Sequence, residues 1–163
     1  MIDAQIGHEK TLTGLLPALA AGNMIYGMGM LEMGMAMSYE QLLIDAEIVR
    51  MIRRIMQGIA VNDETLAADV IKAVGPAGTY LSQKHTMRYM RRESSQARLI
   101  DRRPYDAWEK SGAKDMFARA NEEAKKILAT HKATPLTEAA AREIRNIVEE
   151  ASAELAERKQ AKK

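Results

Sequence analysis

The sequence has no cysteine, and among its 163 residues only 3 histidines, 1 tryptophan and 1 phenylalanine. The lack of cysteine excludes a disulfide scaffold, a thiolate metal centre and a cysteine nucleophile. A multi-histidine metal site would need all of His8, His85 and His131, which share no ligand spacing, so no metal is expected. With so few large aromatics, the core must be built from Met, Leu, Ile, Val and Ala, and Met is abundant at 12 residues. Net charge is nearly absent as well: 24 Lys+Arg against 22 Asp+Glu leave +2. No global field draws the chain to nucleic acid or anionic lipid, and neither is expected as a partner.

No basic region followed by an apolar stretch and a small-residue cleavage site opens the chain, so no signal peptide is read and a cytoplasmic location is expected. Thr11 to Leu31 is an uncharged run of 21 residues, long enough to span a bilayer. Pro17, Asn23 and the glycines at 14, 22, 27 and 29 interrupt it, and its flanks lack clustered positive charge and an aromatic belt. Buried core is the preferred reading, with no membrane span.

What is present is ordinary globular usage, 47% hydrophobic and 28% charged, at the size of one domain. Ile2 to Leu16 reads as a helix that Pro17 kinks or ends, with a continuation to Gly22-Asn23. Met24 to Leu31 is short, apolar and glycine-punctuated, and is expected to form a buried strand and a tight turn. Ser38 with Gln41 reads as a capping box. The helix it opens buries Leu42, Ala46, Val49, Ile52, Met56 and Ile59, with Asp45, Arg50, Arg53 and Arg54 off that face.

Asn62 and Asp63 cap a second helix that Gly75-Pro76 stops. A loop with a short strand at Thr79–Leu81 follows. Lys84 to Arg103 holds seven basic and two acidic residues. Pro104 starts a short turn or helix through Trp108, Ser111 is expected to cap the next helix, and Thr137 the last. Residues after Glu157 are expected to fray. The fold class is therefore mainly α with one or two short strands. A lone strand cannot satisfy its own backbone groups, so it belongs with a larger sheet.

Four segments carry a resemblance: Asp3 to Lys10, Asn23 to Glu32, Gly75 to Leu81 with His85-Thr86, and Asp101-Arg102-Arg103 with Trp108. In order and in register, together with the closing helix pair, they resemble the C-terminal part of the trimethylamine methyltransferase family of corrinoid-dependent methyltransferases. The resemblance implies the C-terminal segment of a TIM (β/α)8 barrel, incomplete in this chain, plus a helical extension. The last βα units would occupy 1–103 and the extension 104–163. It further implies transfer of a methyl group from a tertiary or quaternary methylated amine to a corrinoid (cobalamin) carried by a partner protein, none of it bound covalently here. A homo-oligomer is expected at full length. A complete barrel takes about 250 residues, with the missing strands before Met1.

Holding a methylated cation calls for aromatic faces and a nearby carboxylate. Under the resemblance the substrate-binding candidates are Tyr26, Gly27, Glu32, Tyr80 and His85. Each has a plainer reading: Tyr26 as core, Glu32 as a solvated side chain, His85 as a loop hydrogen-bonder. Six methionines lie between Met24 and Met37; they can fill core or line a surface for a corrinoid or partner protein. The basic segment can be a solvated face, a dock for an acidic corrinoid protein, or a nucleic-acid site, the last with little aromatic interleaving to support it. Against the enzyme stands a second class: a small helical interaction module that assembles through its Met-rich segment.

Overall fold

The computed structural model describes residues 2–160. They divide into two compact units, one running up to Ala129 and one from Thr130 onward.

In the first unit, α1 spans Ala4–Leu19. The Asp3 carboxylate caps it, accepting the backbone N–H groups of Gln5 at 3.0 Å and Ile6 at 3.4 Å. Pro17 sits inside the last turn without ending the helix. The chain leaves through bonds from the Ala20 N–H to the Leu16 carbonyl at 3.0 Å and from the Gly22 N–H to the Pro17 carbonyl at 2.8 Å. Gly14 is buried against α2, Tyr39–Met56: a Cβ there would stand 2.9 Å from Ile52 Cδ1. Its missing side chain is what lets the two helices approach.

The buried strand expected over Met24–Leu31 is not formed as such. Only Met30–Leu31 is strand, here β1, and Met24, Ile25 and Tyr26 are exposed. β1 pairs antiparallel with β2, Ala36–Met37, in the register Met30 to Met37 and Leu31 to Ala36. A 3-10 turn over Glu32–Gly34 joins them. Sequence pattern marks apolarity, but a strand needs hydrogen-bonding partners, and among the described residues the two of β2 supply the whole ladder.

α2 spans Tyr39–Met56, and Ser38 Oγ accepts the Gln41 N–H at 3.2 Å. Ser38 thus caps as expected, but Gln41 does not complete the box: its side chain turns to Asp45. The polar residues of α2 depart from the expected pattern. Asp45, placed off the apolar face, is nevertheless buried at 3% exposure, and Gln41 and Glu47 are buried with it, whereas Ile59 is exposed beyond the helix end. The apolar core joins Ile44 of α2 to Leu99 and Ala120, with Ile2, Leu43, Ile48 and Met116 packed around them.

Asn62 and Thr65 form a reciprocal capping box on α3, Asp63–Leu66. Ala67, in the left-handed region at φ 53°, separates α3 from α4, Ala68–Val74, so the single helix expected here is two. Gly75 ends α4 as expected. Thr79–Leu81 forms no strand. α5 spans Lys84–Glu93, α6 Tyr105–Lys110 and α7 Met116–Thr130. Ser111 closes α6 instead of opening α7, its hydroxyl bonding the Trp108 carbonyl at 2.7 Å. The Asp115 carboxylate accepts the Ala118 N–H at 2.7 Å at the start of α7.

The second unit holds α8, Glu138–Gln160, opened by Thr137 Oγ1 accepting the Ala140 N–H at 3.3 Å. The helix persists past Glu157, while residues 161–163 of the expected frayed tail lie outside the described residues. Among the described residues no helix is long and apolar enough to cross a membrane.

Candidate functional site

The site is organised by a turn at Gly27-Met28-Gly29 and by the two helices that grip it. Gly29 has φ +76°, and a Cβ there would lie 3.0 Å from Leu42 Cβ and 3.1 Å from the Ser38 carbonyl oxygen. Only glycine fits without strain. Both polar groups of Gly29 are held from α2: its N–H donates to Asp45 Oδ2 at 2.8 Å, and its carbonyl accepts the Ser38 N–H at 2.9 Å. From α1, Lys10 Nζ donates to the Gly27 carbonyl at 2.6 Å and stands 3.2 Å from Asp45 Oδ2. Gln41 Nε2 donates to the other carboxylate oxygen, Asp45 Oδ1, at 2.6 Å. A buried carboxylate is costly unless paired and hydrogen-bonded, and Asp45 is both.

Two hollows flank this turn. Glu9, Lys10 and Thr13 of α1 face Tyr26, Gly27 and Glu32 across the first. The second is more apolar, with Pro17, Met24, Met28, Ile48 and Ile52 around the Lys10 and Asp45 pair. Tyr26 lines both. It is 81% exposed, so in this chain it is not a core tyrosine. Glu32 is exposed too, with a positive φ of 51° that turns the chain out of β1.

Of the five sequence-derived candidates, Tyr26, Gly27 and Glu32 therefore share one hollow. Tyr80 is exposed in the loop before α5. His85 lies in the first turn of α5, its Nε2 2.8 Å from the Glu64 carbonyl oxygen and its ring stacked 4.4 Å from Tyr89. It borders a separate hollow with Asp63, Glu64 and Val70. Among the described residues no group of three or more His, Asp or Glu could hold a metal ion. Lys10 and Asp45 are not among the sequence-derived candidates. The one signal for them is Gln41 four residues before Asp45, a spacing that puts both on one helix face.

Comparison with known proteins settles the family. The profile of the trimethylamine methyltransferase family matches residues 1–156. The chain belongs to this family. It is 52% identical over 148 residues to trimethylamine methyltransferase MttB of Desulfitobacterium hafniense, covering 91% of this chain and 30% of that relative. With trimethylamine methyltransferase MttB2 of Methanosarcina mazei it shares 47% identity over 149 residues, again 91% of this chain and 30% of the relative. A glycine betaine methyltransferase of Desulfitobacterium hafniense is 40% identical over 110 residues, 67% of this chain and 23% of the relative. The chain thus spans less than a third of the length of these curated relatives.

In this member of the trimethylamine methyltransferase family, much of the basic segment is paired internally. Arg88 bonds Glu64 at 2.6 Å, Arg54 of α2 bonds Glu93, and Arg92 stands 3.6 Å from Glu93 and 5.7 Å over the Tyr89 ring. Burial, reinforced by Glu64, pushes the Tyr89 hydroxyl above its ordinary value. The Arg103 side chain and backbone N–H hold the Asp101 carboxyl well below the usual carboxylate range. Glu47 accepts the Arg98 backbone N–H at 3.1 and 3.0 Å and pairs with Arg50, tying the segment before Leu99 to α2.

Proposed function

We propose that this chain acts as the C-terminal part of a methyltransferase that moves a methyl group from a methylated amine to the cobalt of a corrinoid carried by a separate protein. The observation that carries this reading is the 52% identity to a relative named a trimethylamine methyltransferase, over 91% of the chain. The betaine relative widens the substrate class. Trimethylammonium and glycine betaine share one feature, a methyl group on a positively charged nitrogen.

The reaction is a displacement at carbon. Cobalt(I) supplies the electron pair for the new cobalt–carbon bond, and the carbon–nitrogen pair leaves with the amine. A quaternary ammonium departs as a neutral tertiary amine, so no proton donor is required. The protein's task is to hold the cation, aim one methyl outward and admit the corrinoid. The hollow shared by Tyr26 and Glu32 suits the first task, because a ring face and a carboxylate both attract an alkylated ammonium. In a TIM barrel the loops that follow the strands build the active site. The Gly27–Gly29 turn precedes β1, so in a complete barrel the loops after the other strands would close the remaining walls of the hollow.

A non-enzymatic module that assembles through its methionines draws support from one observation: Met33, Met35 and Met37 are exposed at 102%, 84% and 66%. The two readings part on the site. In the polypeptide that contains this chain, Glu32→Gln and Tyr26→Leu should each raise the amine concentration needed for half-maximal methyl transfer, with the fold retained. Unchanged transfer in both variants would remove the hollow from the reaction.

A further inference from the structure

Lys10 lines the same hollow as Tyr26 and Glu32. A lysine ammonium there is a difficulty for any cationic ligand, because two like charges within a few ångströms repel unless one is neutralised. Asp45 stands 3.2 Å from that ammonium and is buried at the foot of the turn. The same two side chains hold the turn's ends, Lys10 through the Gly27 carbonyl and Asp45 through the Gly29 N–H. Tyr26 directly precedes this turn, and Glu32 follows it by three residues.

From this geometry we infer that Lys10 and Asp45 are positioning residues of the methylated-ammonium site: through the Gly27–Gly29 turn they set where Tyr26 and Glu32 stand, and Asp45 cancels the Lys10 charge that would otherwise repel the ligand. Neither touches the methyl group; each acts through the turn and through the field in the hollow. The inference rests on the methyltransferase reading for the identity of the ligand. It does not rest on that reading for the grip on the turn.

Three variants of the polypeptide containing this chain separate the two effects. Lys10→Met loses the grip on Gly27 and leaves no stray cation. Asp45→Asn loosens the turn and leaves the Lys10 ammonium uncancelled. It should raise the half-saturating amine concentration by about 10-fold or more, while half-saturation for the corrinoid protein stays unchanged. The double variant Lys10→Met/Asp45→Asn removes the stray cation again and should bind the amine more tightly than Asp45→Asn alone. A merely structural pair would lower folding stability in Asp45→Asn, with rescue in the double variant, and leave the amine half-saturation of every folded variant at the parent value. An unchanged amine half-saturation in folded Asp45→Asn, or a double variant that binds the amine no more tightly than Asp45→Asn, overturns the inference. If the parent polypeptide transfers no methyl, the functional reading fails and amide exchange decides the grip alone. Faster exchange of the Gly29 N–H in Asp45→Asn than in the parent sustains it; equal exchange overturns it.

Discussion

Asp45 accepts the backbone N–H of Gly29, sixteen residues earlier in the chain, at 2.8 Å. This bond ties an otherwise irregular segment to the middle of α2, and Lys10 brings α1 to the same carboxylate. Removing one partner of a buried ion pair costs about 3–5 kcal/mol, because what remains is left unpaired. Asp45→Ala strands the Gly29 N–H and the Gln41 amide as well. Its urea midpoint should fall by an amount equivalent to about 3 kcal/mol. A loss under about 1 kcal/mol would mean that water replaces the carboxylate at this spot.

Glycines in the chain should respond to alanine in opposite directions. At Gly29 an added Cβ meets Leu42 and Ser38 at 3.0–3.1 Å, on a backbone with φ +76°. The conformational strain alone is about 1–3 kcal/mol, and Gly29→Ala should destabilise by at least that much. Gly7 is helical, and a Cβ added to it would meet nothing within 4 Å, so Gly7→Ala should stabilise by about 0.5–1 kcal/mol. Thermal melts of the two variants, moving to either side of the parent, are the check.

Ser38 is both the cap of α2 and a partner of Glu40, its hydroxyl donating to Glu40 Oε2 at 2.6 Å. Ser38→Ala should cost about 1 kcal/mol. Circular dichroism during urea unfolding would show it, and an unshifted curve would place the helix start elsewhere.

Acid should weaken the fold through Glu40. The Ser38 hydroxyl, the backbone N–H of Glu40 itself and the Asn121 amide hold this carboxyl below its ordinary value of 4.5. A depressed folded-state value means stability that is fully present above the unfolded value and is lost as pH falls through the folded one. Melting temperature should therefore drop as pH falls below about 4.5. Glu40→Gln should lessen that drop while lowering stability at neutral pH. Parallel pH profiles for parent and variant would show that the carboxylate makes no such contribution.

Large apolar side chains within one short stretch of the chain are solvated: Met24, Tyr26, Met33 and Met35 are each at least 79% exposed. Exposed apolar surface favours association. The 163-residue chain on its own should bind a hydrophobic dye and sediment as more than a monomer. Met33→Lys with Met35→Lys should reduce both signals. A dye-silent, compact monomer would mean that these side chains find cover within the chain itself.

Most helix starts are legible in the sequence, though Ser111, read as a start, ends α6 instead. Ser38, Asn62 and Thr137 cap where their short polar side chains and following residues say they should, because capping is local chemistry. Asp45 escapes a local reading for the complementary reason. A helical aspartate reads as solvated unless something distant buries it, and the Gly29 amide and Lys10 are tertiary partners that no local spacing shows. Ala67 adopts a left-handed conformation without a glycine to announce it, so α3 and α4 read as one helix. The apolar run at Met24–Leu31 carries a true signal of hydrophobicity and a false one of strand, since within it only Met30 and Leu31 have a strand partner. In the hollow, Tyr26, Gly27 and Glu32 can be gathered from sequence because they lie within one short segment, whereas Lys10 reaches it from another helix.

Formation of methylcobalamin is the most direct test of the methyltransferase reading. The polypeptide containing this chain is mixed with cob(I)alamin and either trimethylamine or glycine betaine under reducing, oxygen-free conditions, and the visible spectrum is followed. The expected result is conversion of the cobalt(I) spectrum to that of methylcob(III)alamin with at least one of the two amines, slowed by Glu32→Gln. A cobalt(I) spectrum that persists with both amines, in a folded protein, would contradict it.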